Sequence, residues 1–360
     1  MATQAVPSVE QDVARARALA LRYGWNAMAF QVVNPGIQHW FAPDGDGLIG
    51  YVCRAGVRVV AGAPICPEDK LPAVLAAFEA EAESHRERVC YLGAAGRLLA
   101  LLDDRPEYSV VVLGAQPVWN PGGWAGIVAE HASLRAQVAR AGNKGVVIRE
   151  WSPEKAHNHP ELHRCLNEWL QTRHLPPLHF LVEPQTLSRL TGRRIFVAER
   201  AGVPVGFINC SPVAARNGWL TEQFVRGKDA PNGTVEAMID CAMRTLASEG
   251  ATYVTMGLVP LSRHAQTSDR QNPLWLRATL AWVRAHGRRF YNFDGLDRFK
   301  AKFQPDFWEP IYCISHERRF SPRTLYAIAD AFTGGSPIRA VLLGIGKAIR
   351  QEWRWLRERR

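Results

Sequence analysis

The stretch from Arg193 to Leu258 is the part of the sequence that best indicates the fold class: RRIFVAERAGVPVGFINCSPVAARNGWLTEQFVRGKDAPNGTVEAMIDCAMRTLASEGATYVTMGL. Runs rich in β-branched and aromatic residues alternate with turn residues, and they predict strands over 193–199, 204–213 and 218–226. A helix is predicted over 234–249 and a further strand over 251–258. This order of strand, turn, strand, strand, helix and strand is typical of a mixed α/β module.

The same order of elements occurs earlier in the chain. Strands are predicted over 37–42, 48–54 and 57–62, then a helix over 68–86 and a strand over 89–94. The sequence therefore predicts an α/β (α+β) fold in which one module is duplicated in tandem, with mixed sheets flanked by helices. The predicted division is a first module over 1–130, a basic linker helix over 131–146, a second module over 147–320 and basic amphipathic C-terminal helices over 321–360.

Composition limits the class of protein. The 360 residues carry a formal net charge of +10, which favours a polyanionic partner such as RNA, an anionic membrane or a phosphorylated ligand. The seven cysteines are dispersed without a CxxC pair, which is typical of reduced core cysteines, so we expect no metal site. No apolar run reaches about 18 residues, and residues 1–15 lack the apolar core of a signal peptide. The oligomeric state is not indicated.

The junction between strand 218–226 and the following helix predicts an anion site. A glycine-containing loop that enters a helix presents free backbone N–H groups at the positive end of the helix dipole. The donor-binding residues predicted here are Arg226, Lys228, Asn232, Gly233 and Thr234. The equivalent junction in the first copy, VVAGAPICPEDKL, contains prolines and acids, which remove donors and oppose phosphate. We therefore predict that only the second module binds an anionic donor.

Four segments resemble one family. They are VVLGAQPVWNPGGW with the basic helix after it, CLNEWL with PPLHFLVEP, Arg226 with APNGT, and FYNFDGLDRFKAKFQPDFWEP over 290–310. The arrangement is similar to tandem modules of the Gcn5-related acetyltransferase fold, and the segments resemble the C-terminal catalytic domain of the lysyl- and alanyl-phosphatidylglycerol synthases. This resemblance implies transfer of an aminoacyl group from aminoacyl-tRNA to a membrane lipid, without a cofactor.

Two features of the sequence differ from that family. Its multi-pass flippase domain is not present in these 360 residues. The acid that the family carries three residues before its arginine corresponds to Gln223, and Glu222 is one step away. Because one step reverses the face of a strand, either a bulge brings Glu222 to the site or the acid is missing.

Acyl transfer to a hydroxyl or amine needs a base, donors for an oxyanion and a means of orienting the substrates. The candidate catalytic residues are Glu168, Glu222, Asp294, Lys300 and Lys302. Alternative interpretations are a helix-surface acid for Glu168, a turn-forming Asp-Gly for Asp294 and solvated lysines on a basic helix. Trp169 and Trp308 are predicted as walls of the pocket or as core residues. Lys300 and Lys302 cannot share one helix face.

The tail over 336–360 has an apolar stripe with an excess of Lys and Arg, which predicts either an amphipathic helix on an anionic membrane surface or a helix packed on the core. We expect a cytoplasmic enzyme, peripheral at the inner face of the membrane, whose partners are aminoacyl-tRNA and an anionic phospholipid. Two alternatives stay open: an N-acyltransferase that uses acyl-CoA or an acyl carrier protein, and a non-catalytic module that binds RNA or anionic membranes.

Overall fold

The computed structural model describes residues 9–173, 178–267, 272–286 and 292–335. The tail for which a helix is predicted, residues 336–360, therefore lies outside the described residues. The strands are β1 (Gln38–Phe41), β2 (Leu48–Arg54), β3 (Val57–Ala61), β4 (Arg88–Ala94), β5 (Ser109–Trp119), β6 (Val146–Trp151), β7 (Arg194–Arg200), β8 (Val203–Val213), β9 (Gly218–Arg226), β10 (Tyr253–Thr255), β11 (Val259–Pro260) and β12 (Phe307–Ser315).

The helices surround these strands. They are α1 (Val9–Tyr23), α2 (Leu71–Ser84), α3 (Gly96–Leu102), α4 (Trp124–Glu130), α5 (Ala132–Asn143), α6 (Pro153–Ala156), α7 (Pro160–Gln171), α8 (Thr234–Ser248), α9 (Leu274–His286), α10 (Phe293–Ala301) and α11 (Pro322–Thr333). Among the described residues, no helix is long and apolar enough to cross a bilayer.

All the described strands belong to one mixed sheet. Its order is β1-β2-β3-β4-β12-β5-β10-β9-β8-β7-β6, and β11 pairs with β5. The parallel pairs are β3 with β4 and β9 with β10, and each pair is connected through a helix, as a parallel connection requires. The sheet thus passes without interruption from the first predicted module to the second.

Strand β12 comes late in the chain but lies between β4 and β5. It pairs antiparallel with both strands, so that Trp308 is opposite Pro117 and Ile314 is opposite Tyr91. The division of the chain into modules stays a prediction, but the first half completes its sheet with a strand from the second.

The core lies on both faces of the sheet because side chains alternate along each strand. In β3, Val59 packs in a cluster with α1, α9 and α11, whereas Val60 packs with α2 and α3. In β7, Phe196 packs towards α8 and Val197 towards α7. Each half therefore has helices on both faces, and the α/β fold class predicted from the sequence is observed.

Some local predictions were wrong. Asp294 and Gly295 do not form a turn: they lie in the first turn of α10, where the Asn292 side chain accepts a hydrogen bond from the Gly295 N–H. The aromatic segment before them does not form a strand at residues 292 and 293, and residues 290 and 291 lie outside the described ranges. The helix predicted over 131–146 is observed as α5, whereas the segment VVLGAQPVWNPGGW before it is mostly strand, since β5 continues to Trp119.

Candidate functional site

The predicted anion loop joins β9 to α8 over residues 227–233. Its first N–H groups are already bound within the protein. The Gly227 N–H donates to the Val205 carbonyl at 2.9 Å, and the Lys228 N–H donates to Glu168 Oε2 at 2.8 Å. The hydrogen bond from Lys228 lowers the pKa of Glu168, because it stabilises the carboxylate. Glu168 therefore anchors the start of the loop and occupies one donor that a phosphate would need.

The end of the loop requires glycine. Gly233 has a φ of +95°, and a Cβ at this position would lie 2.1 Å from the Gln137 carbonyl oxygen of α5. Thr234 is buried, and its hydroxyl donates a hydrogen bond to the Pro231 carbonyl at 2.7 Å. The loop is thus held against α5 where α8 begins.

Arg226 lies over the loop with its guanidinium exposed. Nη2 donates to the Ala230 carbonyl and to Asn232 Oδ1, both at 3.0 Å. Lys228 and Asn232 are exposed as well. The predicted donor-binding side chains therefore gather at one end of α8, where their positive charge adds to that of the helix dipole.

Two further acids, Asp229 and Glu236, lie at this end of α8 and were not predicted as site residues. Asp229 lies 3.7 Å from Arg164, which also pairs with Glu168 at 3.1 Å. Glu236, in the first turn of α8, pairs with Lys302. The pairing places Lys302 at the start of α8, close to the loop. These contacts could not be predicted from the sequence, because the two acids follow no motif.

Lys300 points away from Lys302 and is buried. Its Nζ donates to the carbonyls of residues 256, 257 and 258 at 2.6, 2.9 and 3.3 Å. Burial lowers the pKa of Lys300 to about 7, because desolvation penalises the ammonium form. The side chain thus holds residues 256–258, which follow β10 where its pairing with β9 ends.

Glu222 lies at a β-bulge in β9. Asn209 pairs with Gln223 and Cys210 with Thr221, so Glu222 is the extra residue. As a result, Glu222 and Gln223 both contact residues on one side of the sheet. The bulge is one of the two possibilities that the sequence left open.

The Glu222 carboxylate is part of a buried polar cluster between the two halves. It accepts from Arg193 Nε at 3.2 Å and from Gln31 Nε2 at 3.0 Å. The side chains of Arg193 and Glu222 are 1% and 8% exposed. Arg193 and Gln31 were not identified from the sequence, because they are 29 and 191 residues from Glu222 and follow no motif.

The remaining predicted residues lie apart from this cluster. Trp169 is partly buried under the Arg173 guanidinium, 4.1 Å from its ring. Trp308 stacks on His264 at 4.1 Å. Asp294 is in the first turn of α10, where its carbonyl accepts from Arg298. His179, on which no prediction was made, contacts Glu183 at 2.8 Å.

The first copy has a small cavity where the second has its loop. Its lining consists of Trp25, Asn26, Ala63, Pro64, Leu71, Ala95, Arg97 and Leu98. The Arg97 guanidinium lies 5.7 Å from the Trp25 ring, and Glu68 is its partner at 3.6 Å. The loss of anion binding in this copy stays a prediction.

Comparison with known proteins gives a consistent result. The family model described as phosphatidylglycerol lysyltransferase, C-terminal, matches residues 17–315. A protein of Bacillus subtilis (strain 168) named phosphatidylglycerol lysyltransferase is 25% identical over 320 residues, which are 88% of this chain and 36% of that protein. The chain therefore spans about a third of the length of this curated relative.

Two solved structures share the fold. A C-terminal domain (DUF2156) assigned to a lysylphosphatidylglycerol synthetase of Agrobacterium fabrum has a TM-score of 0.77 at 22% identity, covering 91% of this chain and 98% of that one. L-PGS from Bacillus licheniformis has a TM-score of 0.72 at 22% identity, covering 96% and 98%. Together with the family model, these matches confirm the resemblance found in the sequence motifs.

Proposed function

We propose that this chain, which belongs to the family of phosphatidylglycerol lysyltransferase C-terminal domains, transfers an aminoacyl group from aminoacyl-tRNA to the headgroup of a membrane lipid such as phosphatidylglycerol. The observation that carries the proposal is the β-bulge at Glu222. It keeps a carboxylate on the side of β9 that Gln223 faces, where the family resemblance expects an acid.

The reaction in this proposal replaces one ester by another. The acceptor hydroxyl oxygen bonds to the aminoacyl carbonyl carbon, and the bond from that carbon to the ribose oxygen of the tRNA breaks. The hydroxyl proton ends on the ribose oxygen, so no oxidant, metal or cofactor is consumed. Positioning and electrostatic stabilisation of the tetrahedral oxyanion supply the rate enhancement.

The roles of the side chains follow from their charges and positions. Glu222 is suited to orient the α-ammonium group of the donor, because its carboxylate is held by Arg193 and Gln31. Arg226 and Lys302, at the start of α8, would attract the terminal phosphate of the donor. Lys300 would fix the carbonyls of residues 256–258, which follow β10 where its pairing with β9 ends.

The occupied loop argues against acyl-CoA as the donor. A pyrophosphate cradle needs several free N–H groups, and here Glu168 already accepts from the Lys228 N–H. A carboxylate in this position also repels a diphosphate. We therefore place an acyl-CoA-dependent N-acyltransferase second, and calorimetry with millimolar CoA tests it: binding that Arg226→Ala abolishes would favour it over tRNA.

Purified chain, tRNA charged with labelled amino acids and phosphatidylglycerol vesicles test the leading proposal directly. We expect label in the lipid fraction with at least one amino acid. Glu222→Gln should abolish it, and Glu161→Gln, a change at a partly buried acid on α7, should not. If no amino acid yields labelled lipid, the proposal is wrong. Attachment to the inner face of the membrane is part of the same proposal.

A further inference from the structure

Helices α9 and α11 present a surface that the proposed reaction does not use. Its exposed apolar residues are Leu274, Trp275 and Tyr326, which are 79%, 38% and 41% exposed. Arg318 and Arg319, just before α11, are also exposed. We call these five residues the α9–α11 surface. Exposed large apolar residues next to exposed cations are typical of a binding surface rather than of a solvated helix.

The packing below this surface fixes its shape. The Trp275 ring stacks on Phe320 with centroids 6.3 Å apart, and Phe320 is buried. Leu276 is only 1% exposed and packs into the core cluster shared with α11. The start of α9 is therefore held beside Arg318 and Arg319, so Leu274 and Trp275 face outward from a supported position.

Among the residues that the structure describes, no carboxylate neutralises the positive charge of this surface. Within the described part of the chain, neither Arg318 nor Arg319 has a carboxylate partner, and the adjacent Glu317 is bound to Arg88 at 3.1 Å. Arginine beside exposed leucine and tryptophan is suited to an anionic bilayer, since the apolar groups enter the interface and the guanidinium groups bind lipid phosphates.

The surface lies on the side of the sheet that carries Glu222. One hydrophobic cluster joins α9 and α11 to residues 180–181 and to Phe30 and Val32. Gln31, between those two residues, donates to Glu222. A bilayer bound to the α9–α11 surface would thus meet the protein on the side where the acid lies.

We propose that the α9–α11 surface docks the chain on an anionic phospholipid bilayer. The choice of a phospholipid rests on the proposed function, which needs a lipid acceptor. The two exposed arginines supply the electrostatic attraction, and Leu274 with Trp275 supplies the apolar insertion.

Sedimentation with vesicles tests the surface without any reaction. The full chain is mixed with phosphatidylcholine vesicles that contain or lack phosphatidylglycerol. Arg318→Ala/Arg319→Ala should weaken binding to the anionic vesicles about 30-fold, since each basic residue near such a surface contributes about 1 kcal/mol. The control Arg105→Ala/Arg140→Ala removes the same charge at two other exposed positions and should change binding less than about threefold. Equal binding by both double variants would overturn the proposal.

A second variant covers the apolar part. Leu274→Ser should also weaken binding while its thermal unfolding stays close to that of the wild type, because the Leu274 side chain is 79% exposed. If it instead changes the sedimentation coefficient of the protein alone, the surface is an interface between copies, and the membrane proposal is wrong.

Failure of the docking surface and failure of the proposed function give different results. Wild-type protein that binds anionic vesicles through this surface but labels no lipid would leave the docking surface intact and refute the transferase. Arginine variants that bind vesicles like the wild type would refute the docking surface, whether or not lipid is labelled. If both hold, these variants lose transfer to vesicles but keep it with phosphatidylglycerol dispersed in detergent.

Discussion

The buried pair of Glu222 and Arg193 gives the sharpest prediction. Glu222→Leu should lower the free energy of unfolding by about 3–5 kcal/mol, because it leaves the Arg193 charge buried without its counter-ion. The upper part of this range applies because the two side chains are 8% and 1% exposed, so water cannot screen the loss. The acceptors that Arg193 then keeps among the described residues are neutral: Asn34 Oδ1 at 3.2 Å and the Arg189 carbonyl at 2.8 Å.

Three further variants separate charge from shape. Glu222→Gln keeps an acceptor oxygen but loses the charge, so we expect a smaller cost of about 1.5–3 kcal/mol. Arg193→Met should cost as much as Glu222→Leu, because it leaves the carboxylate unpaired. The double variant Glu222→Leu/Arg193→Met should cost less than either single change, since it removes both charges.

Urea unfolding at pH 7, followed by circular dichroism, measures these differences. The slope of free energy against urea should stay constant across the series, which shows that the same surface unfolds in each variant. If Glu222→Leu lies within about 1 kcal/mol of the wild type, or if the costs of the two single variants simply add, the pair is not the buried interaction described above.

Three other changes test the loop and Lys300. Gly233→Ala should lower the free energy of unfolding by at least about 1–3 kcal/mol, because its backbone is left-handed and a Cβ would clash with Gln137. The control Gly142→Ala in α5, where a Cβ has open space, should stabilise the protein by up to about 1 kcal/mol. Similar urea midpoints for the two variants would contradict this prediction. Lys300 is protonated in both states below pH 7, but between pH 7 and about 10 only the unfolded chain holds that proton. The stability of the wild type relative to Lys300→Met should therefore rise by about 1.4 kcal/mol per pH unit over that range, and a flat difference would refute it. Arg226→Lys keeps the charge but not both loop contacts, so kcat/KM for charged tRNA should fall about tenfold; an unchanged value would exclude a role for the guanidinium.

The sequence was most informative where structure is local. Alternating apolar residues predicted β7, β8 and β9 within a few residues of their ends, and the glycine-containing loop was predicted where β9 joins α8, at which Gly233 has a positive φ. These features depend on side-chain periodicity and on backbone angles, both of which are set by neighbours in the chain.

Long-range contacts were not accessible in this way. Nothing near Glu222 indicates that Gln31 and Arg193 will contact it, and a bulge cannot be deduced from one strand without its partner. The sequence offered a turn at Asp294-Gly295 because Asp-Gly is common in turns. In the structure the Asn292 side chain caps a helix that contains both residues.

The late strand β12 has a consequence for how the chain is made. During synthesis on the ribosome, β4 and β5 leave the exit tunnel long before residues 307–315, which pair with both of them. One edge of β4 and one edge of β5 must therefore stay unpaired, and prone to aggregation, until residues 307–315 have emerged. We expect that cutting the gene between the halves yields an insoluble first fragment, and that adding the missing strand in trans restores its solubility.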